Sequence, residues 1–290
     1  MQMERMLHEM NPYFIVEDRC YKLYKKGGKK MKVISWNING IRKNIKEVEA
    51  CVTKHQPDIL CLQETKVVDD TVKEWLEKMQ QYYPYQYQQT AAVKAGYSGT
   101  LCLSKERPLR YQEGFEIEEL DGEGRLQTME FADFALVNAY LPSVHAKTSL
   151  ERQSYRMRWD DALIERIEDL KMRGEVLLCG DLNAAHAKED MSSAHQRYEG
   201  LSSGFVREDD QTLLALLELG LVDTFRKHHP ERRDAYTWWS NKNGKREKNQ
   251  GCRLDYILVS KGLTPYVENA EIHRDVQGSD HCPIEARLDL

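Results

Sequence analysis

Short, almost unbroken apolar runs limit the folds open to this 290-residue chain more than any other feature. Residues 33–38, 59–62, 100–103, 126–131, 135–140, 176–179, 254–259 and 284–288 are rich in Val, Ile, Leu, Phe and Cys. A strand with one face in water alternates apolar and polar positions. Runs that barely alternate suit strands buried on both faces. Between them lie stretches with helical spacing: Ile41, Ile45, Val48 and Val52; Val72, Trp75, Leu76 and Met79; residues 150–172; and residues 209–219. Buried strands with amphipathic helices to cover them predict a layered α/β domain with helices outside.

Composition narrows the class. Hydrophobic residues at 41% can fill a substantial core, and 31% charged residues of both signs fit a soluble globular protein. The net charge is −5 and the pI about 6.0, so a purely electrostatic nucleic-acid binder is excluded. Any such contact must use local patches or a bound cation. Seven cysteines without a C-x-x-C pair, with Cys51, Cys61, Cys102 and Cys179 in apolar runs, point to core thiols in a reduced, cytoplasmic protein. No run of 18 apolar residues and no secretory signal pattern is present. Residues 1–30 show no period and end in Lys25-Lys26-Gly27-Gly28-Lys29-Lys30. They are expected to be a tail or extension with a solvated basic run, preceding a single domain over 31–290.

The polar residues sit at strand ends beside turn signals: Asn37 and Asn39 after the first run, Glu64 after the second, Tyr140 before Leu141-Pro142, Asp181 and Asn183 after residue 179, Asp255 in Arg253-Leu254-Asp255-Tyr256, and Asp280-His281 before the last. Positions i and i+2 share a strand face, so Asn37 can align with Asn39 and Asp181 with Asn183. Magnesium usually takes one or two carboxylates plus waters and substrate phosphates, a role that fits Glu64 and Asp280. His281 has the ordinary pKa for proton transfer or charge stabilisation near neutrality, and a carboxylate such as Asp255 could hold its tautomer. Taken singly, each of these residues reads as a turn former, a helix cap or a structural histidine. No Cys/His spacing matches a zinc pattern, and there is no P-loop, G-x-S-x-G elbow or dinucleotide fingerprint.

Seven segments in order, Ser35-Trp36-Asn37-Ile38-Asn39-Gly40-Ile41-Arg42, Leu62-Gln63-Glu64-Thr65-Lys66, Gly96-Tyr97-Ser98-Gly99, Glu123-Gly124-Arg125, Gly180-Asp181-Leu182-Asn183-Ala184-Ala185-His186, Arg253-Leu254-Asp255-Tyr256 and Gly278-Ser279-Asp280-His281-Cys282-Pro283, resemble the exonuclease III family of abasic-site endonucleases. The resemblance runs over residues 31–290. It implies a four-layer α/β sandwich, two packed mixed sheets with helices outside. It implies a hydrolase of the endonuclease/exonuclease/phosphatase superfamily, needing Mg2+ with Mn2+ as a substitute, and acting as a monomer on double-stranded DNA with abasic sites or blocked 3′ ends. It assigns Glu64, Asn39 and Asp280 to the metal, Asp181 to the attacking water with Asn183 orienting it, His281 with Asp255 to the phosphate charge, and Tyr140 and Asn37 to supporting the phosphate. Arg42, Tyr97 and Arg125 match DNA-contacting positions, and Trp238 and Trp239 match aromatics lining the pocket for an extruded sugar.

Three positions depart from the pattern. Asn39 is Asp in some members. The loop Ser143-Val144-His145-Ala146-Lys147-Thr148 looks about two residues longer than usual, which puts a phosphate contact in question. Cys252 stands where many members carry Trp, which predicts a lower pocket wall. The motifs Asp181-x-Asn183 and Ser279-Asp280-His281 are shared with lipid and inositol phosphatases, nonspecific nucleases and deadenylases. The segments at 63–66, 96–99 and 236–239 favour the abasic-site branch.

Overall fold

The computed structural model describes residues 28–68, 71–144, 148–185, 187–193 and 209–290, together with the backbone of a hairpin, β1 (Tyr13–Val16) with β2 (Arg19–Lys22). Lys25, Lys26 and Gly27 of the basic run, residues 145–147 of the lengthened loop, and His186 lie outside the described residues.

Two six-stranded sheets form the body. The first contains β3 (Lys30–Asn37), β4 (Ile59–Gln63), β5 (Tyr85–Gln89), β6 (Thr100–Ser104), β13 (Val267–Ile272) and β14 (Ile284–Asp289), in the order β13-β14-β3-β4-β6-β5. The second contains β7 (Arg110–Glu113), β8 (Leu126–Glu130), β9 (Phe134–Tyr140), β10 (Glu175–Asp181), β11 (Leu221–Asp223) and β12 (Asp255–Ser260), in the order β11-β12-β10-β9-β8-β7. Both are mixed, with β3–β4 and β9–β10 parallel. Helices α1 (Ile41–His55) and α2 (Thr71–Met79) cover the outer face of the first sheet, where Ile34, Trp36, Leu60 and Leu62 meet Val48 and Trp75. Helices α4 (Leu150–Arg173) and α5 (Asp209–Glu218), with the short α3 (Glu118–Asp121), cover the second. The short α6 (Thr224–His228) follows β11. This is the expected four-layer sandwich.

All eight apolar runs are strands. The four strands of these sheets that were not foreseen, β5, β7, β11 and β13, are the four sheet edges. An edge strand is covered on fewer sides, so its residues mix buried and exposed positions and no apolar run marks it. The first sheet begins at Lys30, and the Lys29 amide donates to the Leu290 carbonyl at 2.7 Å. The end of the basic run is therefore tied to the last strand.

The space between the sheets changes character along its length. Val33, Ile59, Leu136, Leu177, Ile257 and Ala286 make it apolar at one end. Two residues further along the same faces it turns polar. Gln63 Nε2 donates to Ser35 Oγ (3.0 Å) and Asn138 Oδ1 (2.7 Å), and Asn138 Nδ2 donates to Gln127 Oε1 (3.1 Å). Period-two alternation carries the same faces on to Asn37, Tyr140, Asp181 and Asp255. The seam predicts that Gln63→Leu, similar in volume, leaves the partners of a fully buried amide unsatisfied. We expect a loss of about 1–3 kcal/mol of stability, read from the urea midpoint at unchanged m value.

Candidate active site

Strand register sets the site. Asp181, the last residue of β10, stands beside Tyr140 of β9 on one side and Asp255 of β12 on the other. Gly180 makes this possible: its φ is +140°, and a Cβ there would lie 1.8 Å from the Ala139 carbonyl oxygen, so only glycine lets the strands approach just before Asp181. From the facing sheet, Asn37 ends β3 and Glu64 follows β4. Asn39, Glu64, Lys66 and Asn183 all have φ between 45° and 51°. Left-handed backbone costs non-glycine residues of order 1–3 kcal/mol in strained cases, least for Asn. Here it is held by amide bonds from Gly40 to the Glu64 carbonyl (2.7 Å) and from Lys66 to the Ser98 carbonyl (2.9 Å).

The polar groups interlock. Asn37 Nδ2 donates to Glu64 Oε1 at 3.0 Å and to Asp181 Oδ2 at 2.8 Å. The Tyr140 hydroxyl donates to Glu64 Oε1 at 2.6 Å. Asp181 Oδ1 accepts from the Asn183 amide at 2.9 Å, and Asn183 Nδ2 donates to the Leu141 carbonyl. His281 Nδ1 lies 2.8 Å from Asp255 Oδ2, and its Nε2 faces Asp181 Oδ2 at 3.8 Å. Ser279 Oγ donates to the Asn37 carbonyl and accepts from the His281 amide, which joins the last motif to the first. Arg253 makes a bidentate pair with Asp190 at 2.9 Å and so fixes the start of β12.

Charge alternates through this cluster. Burial raises the Glu64 carboxyl, but Lys66 beside it and hydrogen bonds from Lys66, Tyr140 and Asn37 outweigh that and leave it at about 2. Burial lifts Asp181 to about 7, with His281 opposing and Asp255 adding to the rise. Burial would lower His281, yet Asp255 and Asp181 raise it to about 10. Burial and the Glu64 charge push the Tyr140 phenol well above its ordinary value, so it remains a donor.

One cation position is marked by the protein itself. Lys66 Nζ lies 2.7 Å from Glu64 Oε2 and 2.6 Å from Asn39 Oδ1. Its ammonium stands in for a cation between two oxygens, a donor set that suits a hard divalent ion. Asp280 lies one step back: its Oδ1 accepts from Asn39 Nδ2 at 2.8 Å and turns the Asn39 oxygen toward the cation.

The structure brings Asn37, Asn39, Glu64, Tyr140, Asp181, Asn183, Asp255, Asp280 and His281 together and adds partly exposed Trp238, whose ring lies 6.4 Å from His281 and whose Nε1 lies 3.3 Å from Asp280 Oδ2. Arg42 is exposed at the start of α1. Three of the positions singled out in the sequence are buried. Arg125 is buried under the Tyr140 ring at 4.2 Å and bonds to Glu123, the Tyr140 carbonyl and the Tyr97 hydroxyl, so it positions Tyr140 and Tyr97 rather than meeting solvent. Trp239 is buried with Tyr236 and Cys282 beneath Arg246, behind the pocket. Cys252 is fully buried and bridges to Trp238 and Met191, so it backs Trp238. Lys66 and Arg152 were missed as contributors. Lys66 is two residues from Glu64, which is the signal that could have found it. Arg152, which donates to Tyr97 and Glu123, lies far from both in sequence.

Residues 34–281 match the Endonuclease/Exonuclease/phosphatase family. The chain is similar to the exodeoxyribonuclease of Bacillus subtilis strain 168, 40% identical over 262 residues (90% of this chain, all of that one). It is similar to the DNA-(apurinic or apyrimidinic site) endonuclease of Dictyostelium discoideum, 38% identical over 263 residues (90% of this chain, 71% of that one). Among solved structures it resembles the 3′ phosphatase NExo from Neisseria bound to product DNA hairpin, with TM-score 0.80, 26% identity, and coverage of 90% of this chain and 100% of that one.

The cluster predicts a pH profile. The proton-accepting form of Asp181 exists above about 7, and the charged form of His281 exists below about 10. Turnover should rise through the first value and fall through the second. Asp255 raises both groups, so Asp255→Asn should move both limbs to lower pH and reduce kcat on the order of 10²–10⁴-fold. Single-turnover rates across pH check this; unmoved limbs would mean that Asp255 does not act on the pair.

Proposed function

Because the chain belongs to the Endonuclease/Exonuclease/phosphatase family, we propose that this DNA-cleaving hydrolase cuts the backbone 5′ to abasic sites and also processes 3′ ends as a 3′→5′ exonuclease and 3′-phosphatase. The observation that carries this reading is the single Asn37 amide bonded to both Glu64 and Asp181. It sets a cation-binding carboxylate and a proton-accepting carboxylate side by side, which is what hydrolysis of a phosphodiester requires. The names of the relatives supply the substrate class.

The family is metal-dependent. We propose Mg2+, or Mn2+ in its place, held by Glu64 Oε2 and Asn39 Oδ1 with Asp280 behind. An ion held there would supply positive charge to offset the negative charge that grows on the phosphate. Asp181, lifted toward neutrality, accepts a proton from the attacking water at a carboxylate whose position is set by Asn183 and Asn37. His281, held by Asp255 through Nδ1, presents Nε2–H to the phosphate oxygens as negative charge grows there. Fixed donors of this kind act most strongly where water is excluded. Tyr140 stays a phenol and orients Glu64. Trp238 offers a flat face to a sugar turned out of the helix, and extrusion costs least where the base is missing. The net charge of −5 gives DNA no general attraction, so contact would rest on local donors and on a cation held at Glu64 and Asn39.

We propose that the catalytic domain spans 31–290, with 1–30 as an extension, and that the protein works as a cytoplasmic monomer. Six of its cysteines are free and buried, which suits a reducing compartment. No helix among the described residues is long and apolar enough to cross a membrane.

An end-labelled duplex carrying one abasic analogue tests the reading against an undamaged duplex, a 3′-phosphate end and a phosphoinositide. Cleavage 5′ to the analogue should dominate, should vanish with a chelator, and in Glu64→Ala should need several-fold more Mg2+ for half-maximal rate. Faster hydrolysis of the phosphoinositide, or cleavage indifferent to chelator, would contradict it.

A further inference from the structure

A second cluster of metal-competent side chains lies on the other face of the first sheet. His55 ends α1, His273 follows β13, and Glu285 is the second residue of β14. Glu285 pairs in register with Ile34, whose side chain packs against the outer helices, so it faces away from the space between the sheets that holds Asn37. His273 Nε2 lies 3.1 Å and His55 Nδ1 3.7 Å from Glu285 Oε2, and the candidate ligand atoms of the three residues all lie within 4.8 Å of one another. The two imidazole rings are 4.0 Å apart.

We infer that His55, His273 and Glu285 form a second divalent-metal site, separate from the catalytic one, that takes a borderline ion such as Zn2+. Two imidazoles and one carboxylate are an established zinc donor set that leaves a fourth position for water. Metal–ligand bonds of about 2.0–2.2 Å place tetrahedral ligand atoms roughly 3.3–3.5 Å apart, and the two measured separations from Oε2 bracket that spacing.

The hydrogen bonding leaves His55 Nδ1 available. His55 is only 9% exposed, yet its Nε2 is buried with no hydrogen-bond partner, and its Nδ1 points at Glu285 Oε2 from beyond hydrogen-bond length. The Nδ1 lone pair, set toward Glu285 Oε2 without a hydrogen bond, is therefore available to a metal, while Nε2 on the far side of the ring stays unpartnered. Glu285 Oε1 is already held by Arg287 Nε at 2.6 Å, which leaves Oε2 to face both rings. Lys32 donates to the His55 backbone carbonyl. His55 lies far from the other two in the chain, which is why no spacing motif announced the set. A bound ion would clamp the C-terminal end of α1 to the strand that follows His281.

The test uses full-length protein stripped with chelator and dialysed into excess Mg2+. Co2+ is titrated while its visible d–d absorption is followed, and Zn2+ is then added as competitor. Wild type and Glu64→Ala should each bind one equivalent of Co2+ with an absorption band that Zn2+ abolishes. His273→Gln, at a partly exposed position, should bind at least tenfold more weakly with unchanged circular dichroism. His273→Cys should regain tight binding with an added sulfur-to-cobalt charge-transfer band. No band in wild type, an undiminished band in His273→Gln, or loss of the band in Glu64→Ala alone would each overturn the assignment.

Discussion

The two sheets meet chemically at one amide. Asn37 Nδ2 carries two hydrogens and gives them to two carboxylates, Glu64 from its own sheet and Asp181 from the other, at 3.0 and 2.8 Å. Everything that fixes Asn37 therefore fixes the separation of Glu64 and Asp181. Ser279 holds its carbonyl, its side-chain oxygen accepts from the Asn39 amide at 3.1 Å, and β4 runs beside it in parallel register. The apolar part of the sandwich supplies the stiffness. Where it gives way to Gln63, Asn138 and Gln127, hydrogen bonds take over the task of joining the sheets.

Burial then sets the chemistry. A cluster open to water would leave every carboxylate near its ordinary value, whereas here two neighbouring acids diverge. Glu64 is driven down by Lys66 and its donors, and Asp181 is driven up by desolvation. One stays an anion suited to a cation, and the other becomes a base poised near neutrality. His281 lies between two carboxylates, and they hold its proton well above the usual imidazole range.

Much of this was legible in the sequence because each part is local. Double-sided burial marked the central strands, and polar residues at their ends marked the site. The edge strands were not legible, since β7 and β13 bury too little of each residue to leave an apolar run. The contacts of Arg125 and Trp239 were not legible either. Family position says that such residues lie near the DNA-facing surface, but not whether a Glu123 or an Arg246 turns them inward. His55, His273 and Glu285 share no spacing at all and meet only because β14 runs beside β13 and under the end of α1.

The central claim is that the Asn37 amide couples the two halves of the site. Asn37→Leu keeps the volume and removes both donors. Asn37 lowers both carboxyls, so its loss should raise them. The most direct measurement is the single-turnover cleavage rate of an abasic duplex as a function of pH and Mg2+ in that variant. The account predicts a rate lower by on the order of 10²-fold or more, an acid limb displaced to higher pH, and a higher Mg2+ requirement, all in a folded protein. A folded variant with the wild-type pH profile and Mg2+ dependence would contradict it.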